Sequence, residues 1–501
     1  MTNWKTIGGS AVFITLMGST ASVAEITSQE VWNDWSQYLS GFGYEVTATP
    51  DITSDSVVVN SLMIAMPLPD DGGMVKVDFG KISFMDQGDG TVAVILPDQK
   101  PIAISVDNNF SVTLNYDTTG MSMVVSGAAD DMTYTYSAPK VAISIADLVI
   151  EGEKIDTAKL DLILSDVAGQ STSKMAGLRN IVQAMSAASL TYDFALAEPG
   201  GGDFAMTVKG AMSDLKMESD SSIPADVDFA KMSEALNNGF AAKGSFSWGA
   251  GGYEFTSKDR GNSVTGSSTS DSGSLNFALD REMINYGGTT TGTKSSFTSS
   301  DLPFPVDITI AEAAFNLLMP AGPSDDPKDL NLTVKLADFN VNDMIWGMAD
   351  PMGKLPHDPL TFILDVDGKA NWFIDIMDPE SMASGDVDIP GALHELTLNA
   401  LQLKVAGADL TGNGAFTFNN DDLETFDGIP APTGEINLKL VGANALLDNL
   451  VAMGLLPEDQ AMGVRMMAGM FTVAGEGDDT LTSNIEVNGD GSILANGQRI
   501  K

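Results

Sequence analysis

The chain has 501 residues, 43% of them hydrophobic, and its 68 acidic against 26 basic residues give a formal net charge of −42. That hydrophobic fraction excludes a disordered chain, and so negative a surface disfavours nucleic acid and other phosphate-bearing partners. Because the chain has no cysteine, it can form neither disulfides nor zinc sites that need cysteine.

The first 24 residues have the composition of a secretory signal peptide. Lys5 supplies a short positive start, "IGGSAVFITLMGS" is an apolar run too short for a membrane span, and "SVA" offers small residues for cleavage after Ala24. We therefore expect a mature protein that begins at Glu25 and resides in the periplasm of a Gram-negative bacterium. Secretion beyond the outer membrane is the alternative.

The mature chain is expected to open with a helix. In "TSQEVWNDWSQYL", Thr27 and Glu30 have the spacing of a capping box, and Val31, Trp35 and Leu39 recur every fourth residue. Further short helices are expected over residues 177–188, 229–240, 341–348, 445–453 and 457–470, and the last two would form a hairpin around "GLLPEDQ".

After the first helix the hydrophobic period changes to two. "FSVTLNY", which starts at Phe110, alternates without exception, as do "MTYTY", "LNLTVKL" and "INLKL", and turn signals such as "QGDG" and "DTTG" separate such runs. The sequence therefore predicts a mainly β fold with short helices, built as an extended antiparallel meander that is apolar on one face. A partly open groove along that face is a further hypothesis.

Composition divides the chain into four parts. The signal peptide, residues 1–24, precedes a helix and β-meander over 25–243, a Ser/Thr/Gly-rich part over 244–300, and a β-rich part with the helical hairpin over 301–501. The Ser/Thr/Gly-rich part fits either a linker or thin exposed strands, and its threonines favour strands.

Methionine provides the main signal for a ligand. The chain has 27 methionines, and Met462, Met466 and Met470 fall on one stripe of the last predicted helix. With Leu450 and Leu455 of the hairpin they are candidates to line an apolar site, because unbranched thioethers repack around varied ligands. The alternative is that these methionines simply fill the core.

Acidic loops are the second candidate site, for Ca²⁺ held by carboxylate oxygens. No loop has the full EF-hand spacing, so solvated turns are the competing interpretation. The chain has only two histidines, and "HELTL" lacks the second histidine of a zinc protease. The candidate calcium ligands are Asp421, Asp422, Glu424, Glu476, Asp478 and Asp479.

A family resemblance covers most of the expected mature chain and is clearest in the C-terminal third, with "DLPFPVDITIAEAAFNLLMP" and the opening segment "EVWNDWSQYLSGFGYEV" also similar. "GAFTFNNDDLETFDGIPAPTGEINLKLVGANALLDNLVAMGLLPEDQ" and "MFTVAGEGDDTLTSNIEVNGDGSILANGQRI" resemble an alphaproteobacterial family of exported proteins, the domain-of-unknown-function family number twenty-one twenty-five. The family has no assigned activity, so the resemblance implies no functional residue. The strands of the type "G-x-G-x-[FL]" are also similar, at the level of fold alone, to AsmA-like envelope proteins with long open β-grooves.

These observations favour a non-enzymatic periplasmic envelope protein without a cofactor. It would bind or shield an apolar ligand, such as lipid or a membrane-protein partner. The alternative from another class is a structural or adhesion module stabilised by Ca²⁺ in the acidic loops, and an enzyme of unrecognised type comes third.

Overall fold

A computed structural model describes residues 25–41, 44–67, 74–106, 110–200, 202–225, 227–378, 381 and 390–501. The predicted signal peptide lies outside the described residues. The prediction of a mainly β fold with short helices is confirmed, because the strands within these residues form one antiparallel sheet of 27.

The described part of the chain contains five α-helices and one short 3₁₀ helix. None of these helices is both long and apolar enough to cross a membrane. The helices are α1 (Ser28–Gly41), the 3₁₀ helix Phe229–Lys231, α2 (Met232–Asn237), α3 (Asp343–Ala349), α4 (Ala443–Ala452) and α5 (Glu458–Phe471).

The strands range from two to twenty residues. They are β1 (Glu45–Ile52), β2 (Ser56–Pro67), β3 (Met74–Asp86), β4 (Val92–Ile95), β5 (Gln99–Val106), β6 (Phe110–Asp117), β7 (Ser122–Ala128), β8 (Asp131–Ile150), β9 (Glu153–Lys154), β10 (Lys159–Ala176), β11 (Leu178–Ala197), β12 (Ala205–Ile223), β13 (Ala241–Trp248), β14 (Gly251–Asp259), β15 (Asn262–Ser270), β16 (Ser272–Leu279), β17 (Met283–Ser299), β18 (Val306–Pro320), β19 (Lys328–Val341), β20 (Leu360–Trp372), β21 (Gly391–Val405), β22 (Ala408–Asn419), β23 (Ala431–Val441), β24 (Val473–Ala474), β25 (Thr480–Val487), β26 (Ile493–Ala495) and β27 (Gln498–Arg499).

One predicted helix is wrong. Residues 177–188 lie mostly in β11, which pairs along its whole length with β10 and β12. Ile181 and Met185 are four residues apart and imitate a helical stripe, but Ile181, Gln183 and Met185 share one face of a strand. Two long neighbouring strands supply every backbone hydrogen bond, and this tertiary context overrides the local pattern. The Ser/Thr/Gly-rich part likewise forms strands, within β13 to β17, rather than a linker. The boundaries at residues 243 and 300 stay a prediction.

The sheet is an up-and-down meander of long strands. β4 and β5 pair with successive halves of β3, and β6 and β7 pair with successive halves of β8, so each short pair is one interrupted strand. The same arrangement recurs for β13 with β14 and β15 with β16, between β12 and β17. With these interruptions bridged, the long strands pair in chain order.

A line of backbone kinks crosses this meander. Gly80, Asp166, Asp214, Gly292 and Asp338 all lie inside strands and have positive φ, between 50° and 68°. Such a left-handed residue bends a strand locally. The interruption between β13 and β14 lies beside Asp214, where Gly249 and Ala250 bond to Ser213, and that between β15 and β16 lies beside Gly292. The sheet therefore bends along one line.

The apolar face is the inner side of the bend. In β8, opposite the kink at Asp166 of β10, the inward positions change from even, as at Tyr134 and Tyr136, to odd, as at Val141. The two sets meet in one cluster, in which Tyr136 and Val141 pack together against buried Ala138 and Val167. Leu164, Leu190 and Met212 extend the same cluster across the next strands.

The core sits in the N-terminal half. α1 packs Val31 and Trp32 against Val57, Phe84 and Val92, all at most 6% exposed, in the largest cluster. The two other clusters fall between residues 138 and 240. Beyond residue 240, the fully buried apolar side chains of the described chain are one valine, one proline and several alanines. The inner face of the later strands therefore has no second layer packed on it among the described residues.

Candidate functional site

Side chains on the inner face form rows that run from strand to strand. Residues directly opposite each other in paired strands lie on the same face, so the register traces each row. The first row is Tyr136, Gly169, Met185, Met217, Phe246, Leu275, Gly288, Phe315, Val334, Leu364, Leu401, Gly412, Leu438 and Ser483.

A second row runs beside the first, two residues away along each strand except β21, where an irregularity makes the offset three. Neither row contains a charged residue. The second row is Tyr134, Ser171, Gln183, Ser219, Gly244, Phe277, Tyr286, Leu317, Leu332, Val366, Leu398, Gly414, Ile436 and Ile485.

These rows are open to solvent over their middle portion. Phe277, Tyr286 and Phe315 are 46%, 50% and 40% exposed, and leucines of β16, β18 and β19 beside them are similarly open. The opposite face of the same strands is polar, since the Asn316 amide donates to the Asn331 side chain at 2.8 Å. Apolar side chains gathered on one face, with a polar face behind them, are typical of an interaction surface.

We call the inner face of the bent sheet that carries these two rows the groove. Glycines shape its floor. A side chain at Gly169 would overlap the ring of Tyr136, and one at Gly244 would meet the ring of Phe277. Each ring therefore lies flat over the backbone of the neighbouring strand, a packing that compensates a strand for its glycine. At these two positions the aromatic ring covers the strand backbone that the glycine leaves bare.

At its N-terminal end the groove closes into a pocket beneath α1. The pocket encloses about 580 Å³, within the usual range for small-molecule sites. Tyr134, Tyr136, Ser171 and Gln183 line it and also begin the two rows, so pocket and groove are continuous. The remaining lining residues are Asp34, Trp35, Tyr38, Leu39, Leu62, Ile64, Phe79, Ile82, Leu96, Pro97, Ile102, Tyr116, Met123, Ser173, Arg179 and Ile181.

Local sequence places α1 over this pocket. The predicted capping box is confirmed: the Thr27 hydroxyl accepts from the backbone amide of Glu30 at 3.3 Å, and the Glu30 carboxylate accepts from the Thr27 amide at 2.9 Å. One turn later, Trp35 meets the ring of buried Phe84 edge-on, with centroids 5.3 Å apart. The helix start is therefore fixed, and Trp35 and Leu39 face the pocket.

A buried ion pair ties α1 to β11. Arg179 Nη1 lies 2.6 Å from Asp34 Oδ1, and both side chains are at most 10% exposed. Arg179 also donates to Ser173 Oγ at 2.9 Å, and the Tyr134 hydroxyl donates to Asp34 Oδ2 at 3.2 Å. Burial raises the pKa of Tyr134 well above its usual value, and the nearby Asp34 charge adds to the effect. The phenol therefore stays a donor to Asp34 at any physiological pH.

The predicted methionine site adjoins the other end of the groove. Met462, Met466 and Met470 lie on α5 and are 62%, 70% and 63% exposed, while Leu450 of α4 is half-buried and Leu455 is exposed. Ser483, the last residue of the first row, donates to the carbonyl of Phe471 at the end of α5 at 2.7 Å. Contact of these side chains with a ligand stays a prediction, which Met466→Glu would test through lipid content.

The acidic loops form turns and helix starts. Asp422 accepts from the backbone amides of Glu424 and Thr425, and the Thr425 contacts lower its pKa. Asp479 accepts from the amides of Asn444 and Ala445 at the start of α4. Within the described residues no three carboxylate or histidine side chains lie close enough to hold a metal ion. Calcium in these loops stays a prediction.

Sequence reasoning missed the pocket and its ion pair. Asp34 and Arg179 are far apart in the chain, and the local pattern of the segment "LRNIVQ" around Arg179 predicts a helix. A period of two was the available signal, because it places Arg179, Ile181 and Gln183 together on a strand face. The Trp35 and Leu39 stripe did identify the side of α1 that packs inward.

Comparison with known proteins gives one match. Residues 240–488 match the family model described as "Uncharacterized protein conserved in bacteria (DUF2125)". No curated protein and no solved structure matches the chain. The matched part runs from the start of β13 to the end of β25, so it contains the open portion of both rows, whereas α1 and the pocket precede it. The likeness to AsmA-like proteins stays a prediction.

Proposed function

Residues 240–488 of this chain belong to that uncharacterised bacterial family, and we propose from the inner face that the protein binds lipid acyl chains along the groove. The supporting observation is the pair of uncharged rows whose large apolar side chains remain half exposed. Burying such surface against an alkyl chain is favourable by roughly 25 cal/mol for each Å² removed from water.

The dimensions of the groove suit an extended chain. From β12 to β23 the rows advance by about 4.8 Å per strand, which gives about 40 Å in all. One leaflet of a bilayer is about 15 Å of hydrocarbon, so the groove has room for at least one lipid acyl chain along its length.

The chemistry of the rows favours alkyl chains over a peptide. A polypeptide laid in the groove would bring backbone amides and carbonyls that need hydrogen-bond partners. The open stretch from Phe246 to Leu438 in the first row offers no polar side chain, and an unpartnered buried amide costs about 1–3 kcal/mol. An alkyl chain brings no such groups. We therefore propose lipid rather than a membrane-protein partner as the ligand, and binding or transport rather than catalysis as the function.

The predicted export signal fits this proposal. A protein between two membranes would meet lipid leaving one and bound for the other, and the surplus of acidic side chains would hold it off anionic head groups until a partner intervened. Periplasmic location is part of the proposal, and N-terminal sequencing of the native protein that finds Glu25 first would support it. Retention of residues 1–24 would contradict it.

The test compares two carboxylates placed on opposite faces of β18. The protein is purified from its native host without detergent, and organic extracts are analysed by mass spectrometry. Leu317→Glu puts a charge into the second row, where Leu317 is 42% exposed. Ala314→Glu is the matched control, because Ala314 lies on the polar face opposite Lys335.

We expect bound lipid in the wild type and in Ala314→Glu, and a loss of most of it in Leu317→Glu. A wild type free of lipid would contradict the proposal. So would equal lipid in the two variants, or a stoichiometric protein partner in place of lipid.

A further inference from the structure

The polar cluster at the end of the pocket carries information on the kind of lipid. Building on the proposed function, we propose that this pocket selects uncharged amphiphiles, whose hydroxyl or carbonyl oxygen accepts a hydrogen bond from Arg179. The groove would hold the alkyl chain, and the pocket would recognise the polar end.

The pocket carries no net charge. Of its lining side chains only Asp34 and Arg179 are ionised at neutral pH, and they pair with each other. The remaining polar lining is made of neutral side-chain types: four tyrosine phenols, the Gln183 amide and the hydroxyls of Ser171 and Ser173. A ligand group that enters the pocket therefore meets the positive charge of Arg179, which Asp34 already neutralises.

Arg179 nevertheless retains hydrogen-bonding capacity. A guanidinium has five N–H donors, and the contacts to Asp34 and Ser173 both use Nη1. Among the described residues Nε and Nη2 have no hydrogen-bond partner, and Arg179 is only 7% exposed. Arg179 lines the pocket and these two nitrogens remain accessible there, so they can donate to an acceptor that a ligand brings, and a hydrogen bond from a charged donor is stronger than one between neutral groups.

A charged head group does not fit this arrangement. A carboxylate or phosphate would add a second negative charge beside Asp34, and two like charges in a poorly solvated site repel strongly. An ammonium group would find both oxygens of Asp34 engaged, one by Arg179 and the other by Tyr134. An ester carbonyl or an alcohol oxygen satisfies the open donors and adds no charge.

The test uses three probes with the same ten-carbon chain: 1-decanol, decanoate and decyltrimethylammonium. Binding to delipidated full-length protein is followed by tryptophan fluorescence, because Trp35 lines the pocket, at a mildly alkaline pH that keeps decanoate ionised. We expect decanol to bind about tenfold more tightly than either ion, the size expected for one hydrogen bond to a charged donor.

Asp34→Asn changes the net charge of the pocket from zero to +1 and nearly keeps the shape of the side chain. The substitution would leave Arg179 unneutralised, so decanoate should now bind about tenfold more tightly than it does to the wild type. The double variant Asp34→Leu with Arg179→Met replaces the pair by apolar groups, which folded proteins usually tolerate. It should keep its circular dichroism spectrum. Its preference for decanol over decanoate should lose the part that comes from the hydrogen bond to Arg179, and only the preference of an apolar surface should remain.

Two results would overturn this inference. The first is wild-type protein that binds decanoate as tightly as decanol, and the second is an Asp34→Asn variant that gains no affinity for decanoate. Either result leaves the groove proposal intact if native protein carries lipid that Leu317→Glu loses. Absence of lipid from native protein would contradict the groove proposal separately.

Discussion

Two phenylalanines on the inner face should differ greatly in what they contribute to stability. Phe84 is fully buried and contacts the rings of Trp32 and Trp35, at centroid distances of 5.9 and 5.3 Å. Phe315 lies on the same face, but it is 40% exposed, with Tyr286 as its ring neighbour at 5.2 Å. Truncation of each to alanine therefore compares a closed core with an open groove.

The expected costs follow from burial. Phe84→Ala leaves a cavity beneath α1 and should lower the free energy of unfolding by about 3–5 kcal/mol. At Phe315 only about 60% of the transfer free energy is at stake, and no closed cavity forms, so about 1–1.5 kcal/mol is expected. The difference between the two losses of stability should therefore be about 1.5–4 kcal/mol.

Equilibrium urea unfolding, followed by tryptophan fluorescence and circular dichroism, measures both variants under one set of conditions. Trp32 and Trp35 report directly on the region around Phe84, and circular dichroism reports on the whole sheet. Equal losses in the two variants would refute the reasoning, because they would mean that a second layer covers Phe315.

Three other predictions concern local devices of the fold. Thr27→Ala removes the capping box of α1 and should cost about 1 kcal/mol in the unfolding assay; no change would mean that packing alone fixes the helix start. Gly442→Ala should destabilise the protein by about 1–3 kcal/mol, because Gly442 has φ of 78° and a side chain there would overlap Gly407. Gly463→Ala, at a helical position of α5 with open space around it, should instead stabilise the protein by about 0.5–1 kcal/mol. A change of stability in the same direction for both variants would contradict this prediction. Hydrogen bonds from Lys140, and then from Thr119, hold the pKa of Asp117 well below its usual value. The ionised Asp117 therefore stabilises the fold fully above about pH 4, and this stabilisation is lost as the pH falls. Asp117→Asn should make the melting temperature fall less steeply at acid pH, and an unchanged fall would contradict the prediction.

Local patterns were sufficient to predict the strands and most helices. Alternation with period two is a property of the strand itself, so "FSVTLNY" predicts β6 without knowledge of its partners. The capping box at Thr27 and the hairpin of α4 and α5 are equally local, because their hydrogen bonds join residues three or four apart. The helix predicted over 177–188 failed because a spacing of four also occurs in a strand whose inward side chains vary in polarity.

Such local patterns could not predict the bend of the sheet. Asp166, Asp214 and Asp338 adopt left-handed backbone conformations inside long strands, and aspartate at that position is unremarkable in sequence. Each of these three aspartates moves the inward side chains from even to odd positions. The simple alternation of apolar and polar residues is therefore interrupted where the sheet bends. The kinks align only because the strands pair in a fixed register.

For this protein the sequence by itself determined the strand-rich meander, its apolar face and helix α1, since each depends on neighbours within a few residues. Only the tertiary structure decided where that face is covered. α1 closes the N-terminal end because Val31 and Trp32 pack into the core around Phe84 and because Asp34 pairs with Arg179 on β11. These contacts join distant parts of the chain, and no periodicity encodes them. Over the later strands the inner face stays open, because α3, α4 and α5 together bury only one of their own side chains, that of Ala461, and so do not pack on it as a second layer.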